Sequence, residues 1–377
     1  MTDTGVQGRE RVLAVVICPV HATRAQLEER LAEIEQLAQL AGADVVSVYS
    51  LRTDPQGVPL VRGTGARAAL RERIGQERCH AVVWSQSLSP REALRWESVL
   101  KRRVVDLPEL ILDGLARHSA SAETHILVEM AQLLLLRGRL PRKGPLFSRM
   151  GEGVGTQAPG HHLEVTRAGL QTRLHQIRRE WKKLDETRAL QCQSRSSLPR
   201  AVLLGFPNSG KTQLFRRLTG EDVPCSHSPY STLHTLTRRV AIPAIDPFLV
   251  TDTLSFIPGL FAEGLSAFRP TLRWIQSAEV LVLVLDAGSA WVEEHLTEMN
   301  EFLKQIGCAE KARVTVFNQM DRVEHPGNLR ELARDIQPHV CISARLDREF
   351  AGLGAMIHQS YREAMQSLAA GGEEEWP

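Results

Sequence analysis

The residues whose types and spacing most clearly point to chemistry lie in Gly205-Phe-Pro-Asn208-Ser209-Gly210-Lys211-Thr212. This is the pattern G-x-x-x-x-G-K-[ST], in which a glycine-bearing loop turns consecutive backbone N–H groups inward around a polyphosphate. Lys211 would reach the β- and γ-phosphates, the Thr212 hydroxyl would ligate Mg²⁺, and Gln213 continues the phosphate-facing turn. Three further polar segments follow in order. Asp252-Thr-Leu-Ser255 offers a carboxylate, Asp252, that can hold the Mg²⁺ water shell. Asn318-Gln319-Met-Asp321 offers Asp321 as an acceptor for guanine N1 and N2. Ser343-Ala344-Arg345 can present backbone N–H groups to guanine O6. Each alone is an ordinary loop; all four at strand ends, in this order, are the nucleotide crevice of an open α/β sheet.

The elements that must position these loops are legible from hydrophobic pattern. Ala201-Val-Leu-Leu204 reads as a strand and Gln213–Leu218 as a helix, the context a phosphate loop requires. Further strands are expected at 239–242, 248–251, 280–285, 313–317 and 340–342, making a P-loop α/β domain over 199–368 with an open, mostly parallel sheet and helices on both faces. Upstream, strands at 12–17, 43–48, 80–84 and 103–106 alternate with helices at 25–40, 66–74 and 89–100, predicting a parallel α/β domain over 1–113. Between the two, Ile126, Met130, Leu133 and Leu134 share one helix face. A second run places Leu163, Leu170, Leu174, Ile177, Trp181 and Leu184 at coiled-coil spacing. Together they predict an antiparallel helical hairpin arm over 114–198. Its connection, 137–162, is rich in glycine and carries Arg139, Arg142, Lys143 and Arg149, side chains suited to phosphate. An acidic, disordered tail is expected over 369–377.

With 377 residues the chain is long enough for two or three domains, and a net charge of +2 argues against a protein that coats nucleic acid. Cysteines 18, 79, 192, 225, 308 and 341 form no C-x-x-C pair, which favours free thiols over disulfides or zinc. Met1–Glu10 has no apolar core and no apolar run approaches membrane-spanning length. The expectation is a soluble, cytoplasmic protein with neither membrane nor DNA as partner. No nucleophile–base pair stands apart from the nucleotide site, which disfavours a small-molecule enzyme.

Nearly the whole chain resembles the HflX family of ribosome-associated GTPases, in the Obg–HflX branch of the translation-factor-like GTPases. Tyr230-Ser-Thr232-Leu-His-Thr-Leu-Thr-Arg238-Arg239-Val240 is similar to the family's F-A-T-L-D-P-T-T-R-R-V. Thr251-Asp-Thr-Leu-Ser-Phe-Ile257 and Ala267-Phe-Arg-Pro-Thr-Leu272 are similar to T-D-T-V-G-F-I and A-F-R-x-T-L. Val105-Asp106, Ile111-Leu-Asp113 and Val128-Glu-Met-Ala-Gln-Leu133 match its N-terminal module, and Gly153–Gly160 stands where the family has G-x-G-x-R-G-P-G-E. The resemblance implies GTP hydrolysis to GDP with Mg²⁺, Thr232 as a second metal-ligating threonine, and Lys211 and Thr232 supporting the transition state. It also implies binding to the large ribosomal subunit and its rRNA, in order to split or rescue ribosomes. The hairpin loop would contact RNA through Arg139, Arg142, Lys143, Arg149 and Gln157. Asn208 resembles the asparagine that helps hold K⁺ in some related GTPases.

The departures bear on activity. Gln319 replaces the lysine of N-K-x-D, Ser255 the glycine of D-x-x-G, and His234-Thr235 replace D-P. Gln157, Ala158 and His161 replace Arg, Gly and Glu in the loop, and the additional C-terminal domain of many members is not expected. The chain thus reads as a diverged paralogue with weak, ribosome-stimulated hydrolysis. The alternative is a degenerate pseudo-GTPase acting as a nucleotide- or RNA-binding interaction module.

Overall fold

Val12-Leu-Ala-Val-Val-Ile17 is apolar at every position, the pattern of a strand covered on both faces, and all six side chains are buried. They form the heart of β1 (Glu10–Pro19), which pairs in parallel with β2 (Ala43–Thr53) and β3 (Ala81–Trp84), while β4 (Arg103–Asp106) continues from β3. The order is β2-β1-β3-β4. Parallel neighbours need crossovers, supplied here by α1 (Arg24–Leu40), α2 (Thr64–Gln76) and α3 (Pro90–Leu100). Thr23 with Gln26 and Ser89 with Glu92 close capping boxes on α1 and α3, each worth about 1 kcal/mol. The computed structural model describes residues 9–53, 64–118, 122–139, 167–193, 198–221, 236–253, 255–256, 269–323, 326–346 and 350–371. These fall into two units, one ending at Leu184 and one from Asp185 onward.

The first unit continues with α4 (Leu107–His118), a helix not anticipated from the pattern. Pro108 looks like a breaker, but in a first turn its missing N–H has no intrahelical partner to lose. Leu110, Ile111, Leu112 and Leu115 then bury behind it. Helices α5 (Ala122–Arg139) and α6 (Arg167–Gln193) make the antiparallel arm, with Arg173 forking onto Glu129 of α5 at 2.7 and 2.9 Å. The apolar seam of α6 buries Leu170, Leu174 and Ile177 but leaves Trp181 and Leu184 only partly covered. Leu163 lies outside the described residues.

At the end of α5 the structure corrects one expectation. Arg139 is held by Glu109 and by Asp106, the latter at 3.0 Å, and Arg103 joins the same Glu109 at 2.5 Å. Burial alone would raise the pKa of Glu109, but the two guanidiniums outweigh it and hold the carboxyl below its usual range. Arg139 is therefore committed to tying α5 onto β4 and α4, and the phosphate contact expected of it gives way to a structural ion pair.

The second unit is built on β5 (Arg200–Leu204), flanked in parallel by β7 (Phe248–Asp252) and β8 (Val280–Asp286). Outward lie β9 (Ala312–Asn318) and β10 (His339–Cys341) on one side, and antiparallel β6 (Leu236–Val240) on the other. Strand β6 begins three residues before its expected start, because Thr237 pairs side chain to side chain with Thr251 at 2.9 Å and carries the ladder outward. Helices α7 (Lys211–Thr219), α8 (Arg269–Ser277), α9 (Val292–Gln305), α10 (Pro326–Arg334) and α11 (Ala351–Gly371) complete it. Leu203, Phe215, Val250, Val282 and Val316 are fully buried in its core. Helix α11 runs through Gly371, so the expected tail loses its first three residues to helix; the rest lies outside the described residues. No described helix is long and apolar enough to cross a membrane. Cys18, Cys79, Cys308 and Cys341 are free thiols.

Candidate nucleotide-binding site

The buried strand β5 ends at Leu204, and the chain must turn at once because Val284 of β8 lies alongside. A Cβ on Gly205 would sit 2.2 Å from the Val284 carbonyl oxygen, so only glycine fits. Asn208 (φ 60°) and Gly210 (φ 86°) then take left-handed backbone, curling the loop into α7. A Cβ on Gly210 would fall 2.3 Å from Asn318 Nδ2, so the loop also presses against the end of β9. Gly210 caps α7 without any side-chain hydrogen bond, the kind of helix N-terminus that suits an anion.

Lys211 is 4% exposed, and its ammonium donates to Gly205 O (3.0 Å), Phe206 O (2.8 Å) and Ser255 Oγ (2.9 Å). Burial lowers its pKa to about 8, with Asp252 acting in the opposite direction. The register that pairs Leu203 with Asp252 brings the carboxylate to the mouth of the loop, where Thr212 Oγ1 donates to Asp252 Oδ2 at 2.8 Å. Thr253 Oγ1 anchors the same segment to Leu203 O at 2.8 Å. The Phe256 N–H donates to Gly205 O at 2.8 Å, and its ring packs edge-on against Phe206 and Phe302. Phe206 in turn stacks on His295 at 3.9 Å. The Ser255-Phe256 segment is thus docked on the phosphate loop by polar and aromatic contacts together.

At the other end, buried Asn318 donates to Ser209 O at 2.8 Å and accepts the Ala344 N–H at 2.9 Å. The Ala344 amide, expected to face the base, is therefore used to join the two base-end loops. Ser343 Oγ donates to Asp321 Oδ1 at 2.6 Å and steers that exposed carboxylate. Gln319 Nε2 donates to Asn208 O at 2.5 Å. Arg217 of α7 holds the carbonyls of Ala344 and Arg345 at 3.0 and 2.9 Å. Gln213 follows Thr212 on α7, half-buried.

The carboxyl ends of the strands therefore gather Asn208, Ser209, Gly210, Lys211, Thr212, Asp252 and Ser255 at the end expected to hold phosphate. Asn318, Gln319, Asp321, Ser343, Ala344 and Arg345 lie together at the end expected to hold the base. Thr232, Arg142, Lys143, Arg149 and Gln157 lie outside the described residues. Sequence reading missed Phe206, His295, Arg217, Arg322 and Asp286. Only Asp286 had a local signal, its position at the end of an apolar strand.

A glycine loop carrying Lys211 and Thr212 between a central strand and a helix, on an open and mostly parallel sheet, is the arrangement of a P-loop GTPase. The profile described as a 50S ribosome-binding GTPase matches residues 200–319, and those described as GTP-binding GTPase N-terminal and Middle Region match 28–116 and 118–195. The GTPase HflX of Caldanaerobacter subterraneus subsp. tengcongensis is 30% identical across 86% of this chain and 76% of its own length. Those of Spirochaeta thermophila (30%; 95% and 86%) and Escherichia coli (29%; 82% and 73%) are similarly related. The chain belongs to the HflX family of GTPases. A GTP-binding protein from Sulfolobus solfataricus, crystallised with GDP, aligns over 94% of this chain and 99% of its own at 21% identity and a TM-score of 0.43, a likeness too loose to carry an argument.

Proposed function

We propose that this chain is a slowly hydrolysing GTP-binding factor that engages the large ribosomal subunit in the cytoplasm, and there splits or rescues ribosomes. The single observation that carries the nucleotide reading is the buried Lys211 ammonium beside the Thr212–Asp252 pair, a cation and two hard oxygen donors at one loop. Oxygen donors of this kind suit Mg²⁺, which takes few protein ligands and keeps several waters. Thr212 would ligate it directly and Asp252 through water, with Thr232 as a further ligand; when bound, the ion neutralises charge on the phosphates. Asn208 is the residue through which K⁺ would act.

Slow intrinsic turnover follows from Phe256. It stands where many GTPases have a glutamine that orients the attacking water, and its packed ring has no group able to do so. For the ribosome, support comes from the family: one matching profile is described as a 50S ribosome-binding GTPase. On this reading the arm approaches rRNA through Arg142, Lys143, Arg149 and Gln157. Single-turnover hydrolysis of GTP, measured with and without large subunits, tests the proposal. Phosphate release that rises with subunits supports it; binding of GTP with no release under either condition would favour the interaction-module alternative.

A further inference from the structure

The residue after Asn318 carries no charge. The Gln319 amide is engaged at both ends: Nε2 donates to Asn208 O at 2.5 Å, and Oε1 accepts from Arg322 Nη1 at 2.7 Å. Arg322 Nη1 also reaches Asp286 Oδ2 at 2.8 Å. The register places Asp286 opposite Asn318, so this carboxylate emerges from β8 beside the base-end loop. Its other oxygen accepts the Gly288 N–H at 2.9 Å. A Cβ on Gly288 would meet Arg322 Cβ at 2.9 Å, so the missing side chain makes room for the arginine. The polarity of the amide is dictated from outside. Flipping it would set NH₂ against a guanidinium and oxygen against the Asn208 carbonyl.

A lysine in place of Gln319 would make the bond to Asn208 with its own charge. Here the cation sits one side chain further out, on Arg322, and Gln319 relays it. We propose that Arg322, held by Asp286, is a positioning residue that replaces the missing lysine. It sets the spacing between the phosphate loop and the base-end loop, and through that spacing both nucleotide affinity and preference for guanine. This rests on the reading of the crevice as a guanine-nucleotide site. The two solutions work against each other, because a lysine in that position would set its ammonium beside the partly exposed Arg322 guanidinium, like charge against like.

Competition titrations with fluorescent GDP, GTP and ATP on the full chain test this. Arg322→Ala is expected to weaken GDP roughly tenfold and to narrow the GTP-over-ATP ratio. Gln319→Lys alone is expected to weaken binding as well. The double variant Gln319→Lys/Arg322→Ala should return to within about threefold of wild type, which independent structural damage would not produce. Asp286→Asn, which keeps the arginine but loosens it, should shift affinity in the same direction by less. Singles that simply add in the double variant, or an Arg322→Ala protein with wild-type affinity and selectivity, would overturn the proposal while leaving the nucleotide site intact. Failure of the wild-type chain to bind guanine nucleotides would overturn the site reading and this proposal with it.

Discussion

Ser255 Oγ lies 2.9 Å from the Lys211 ammonium, inside the protein. In the related pattern that position is glycine, which offers a backbone N–H and nothing more. Here a side chain binds the phosphate-seeking lysine and shares it with two backbone carbonyls. Departure of the lysine toward a phosphate must therefore break a bond to the very segment that would report the γ-phosphate. Ser255→Gly removes that bond and restores backbone freedom, so subunit-stimulated hydrolysis should rise, while Phe256→Ala should change it little. Denaturation of Ser255→Ala should show a loss of about 1.5–3 kcal/mol, the range for a hydrogen bond to a charged group. Unaltered stimulated turnover in Ser255→Gly would sink the idea.

Lys211 also makes the site pH-dependent. Its folded pKa is about 8 against an ordinary 10.5, so between those values the unfolded chain carries a proton that the folded one has shed. Stability contributed by this group accordingly rises with pH through that window. Below it the full burial cost applies, on the order of 3 kcal/mol. Bound phosphates favour the charged lysine, so GDP affinity should fall as pH climbs above 8. Lys211→Ala should bind fluorescent GDP far more weakly and lose that pH dependence. Equal binding by wild type and variant would remove the assignment of this loop.

The Thr212–Asp252 bond predicts where metal dependence resides. In wild type, Mg²⁺ should tighten GTP binding relative to chelator. Asp252→Asn keeps the shape but loses the charge that holds the water shell, and should abolish most of that gain. Titration in Mg²⁺ and in chelator reads the difference directly. A variant with the full Mg²⁺ effect would move the metal to other residues.

Two sets of arginines in the arm should behave in opposite ways. Charge reversal at Arg142 and Arg149 should weaken large-subunit binding without altering stability, and lower the salt dependence by roughly one log-log unit per lost contact. Arg139→Ala should instead destabilise the first unit by about 3 kcal/mol, because it takes the arginine from buried Asp106 and leaves Glu109 with Arg103 alone. Subunit pelleting across a salt series, paired with denaturation curves, separates the two effects.

What could be read from the chain alone was what is local. β5, the loop and α7 are contiguous, and glycine positions with a lysine and threonine at fixed spacing suffice to identify them. The four loop segments were also legible, because each ends an apolar run. Contacts between distant residues were not. Arg217 meets Ala344 across 127 residues and Arg322 meets Asp286 across 36, and no periodicity announces either. Arg139 was misread for the same reason: in sequence it belongs to a basic run, whereas in space it faces Glu109, 30 residues earlier, and Asp106 just before it.

Asn318 has one further consequence, in time rather than in space. Its side chain is satisfied only when both Ser209 and Ala344 exist, so the crevice cannot close until the chain has been made through β10. The described residues of the first unit are complete at Leu184, roughly 160 residues earlier. At a synthesis rate of about 5–20 residues per second, that is an interval of roughly ten to thirty seconds. Early in it the sheet of the first unit and the paired helices of the arm are already made, while the strand before the phosphate loop gains both neighbours, β7 and β8, only as the chain passes Asp286. The nascent protein therefore acquires its arm before it acquires its switch.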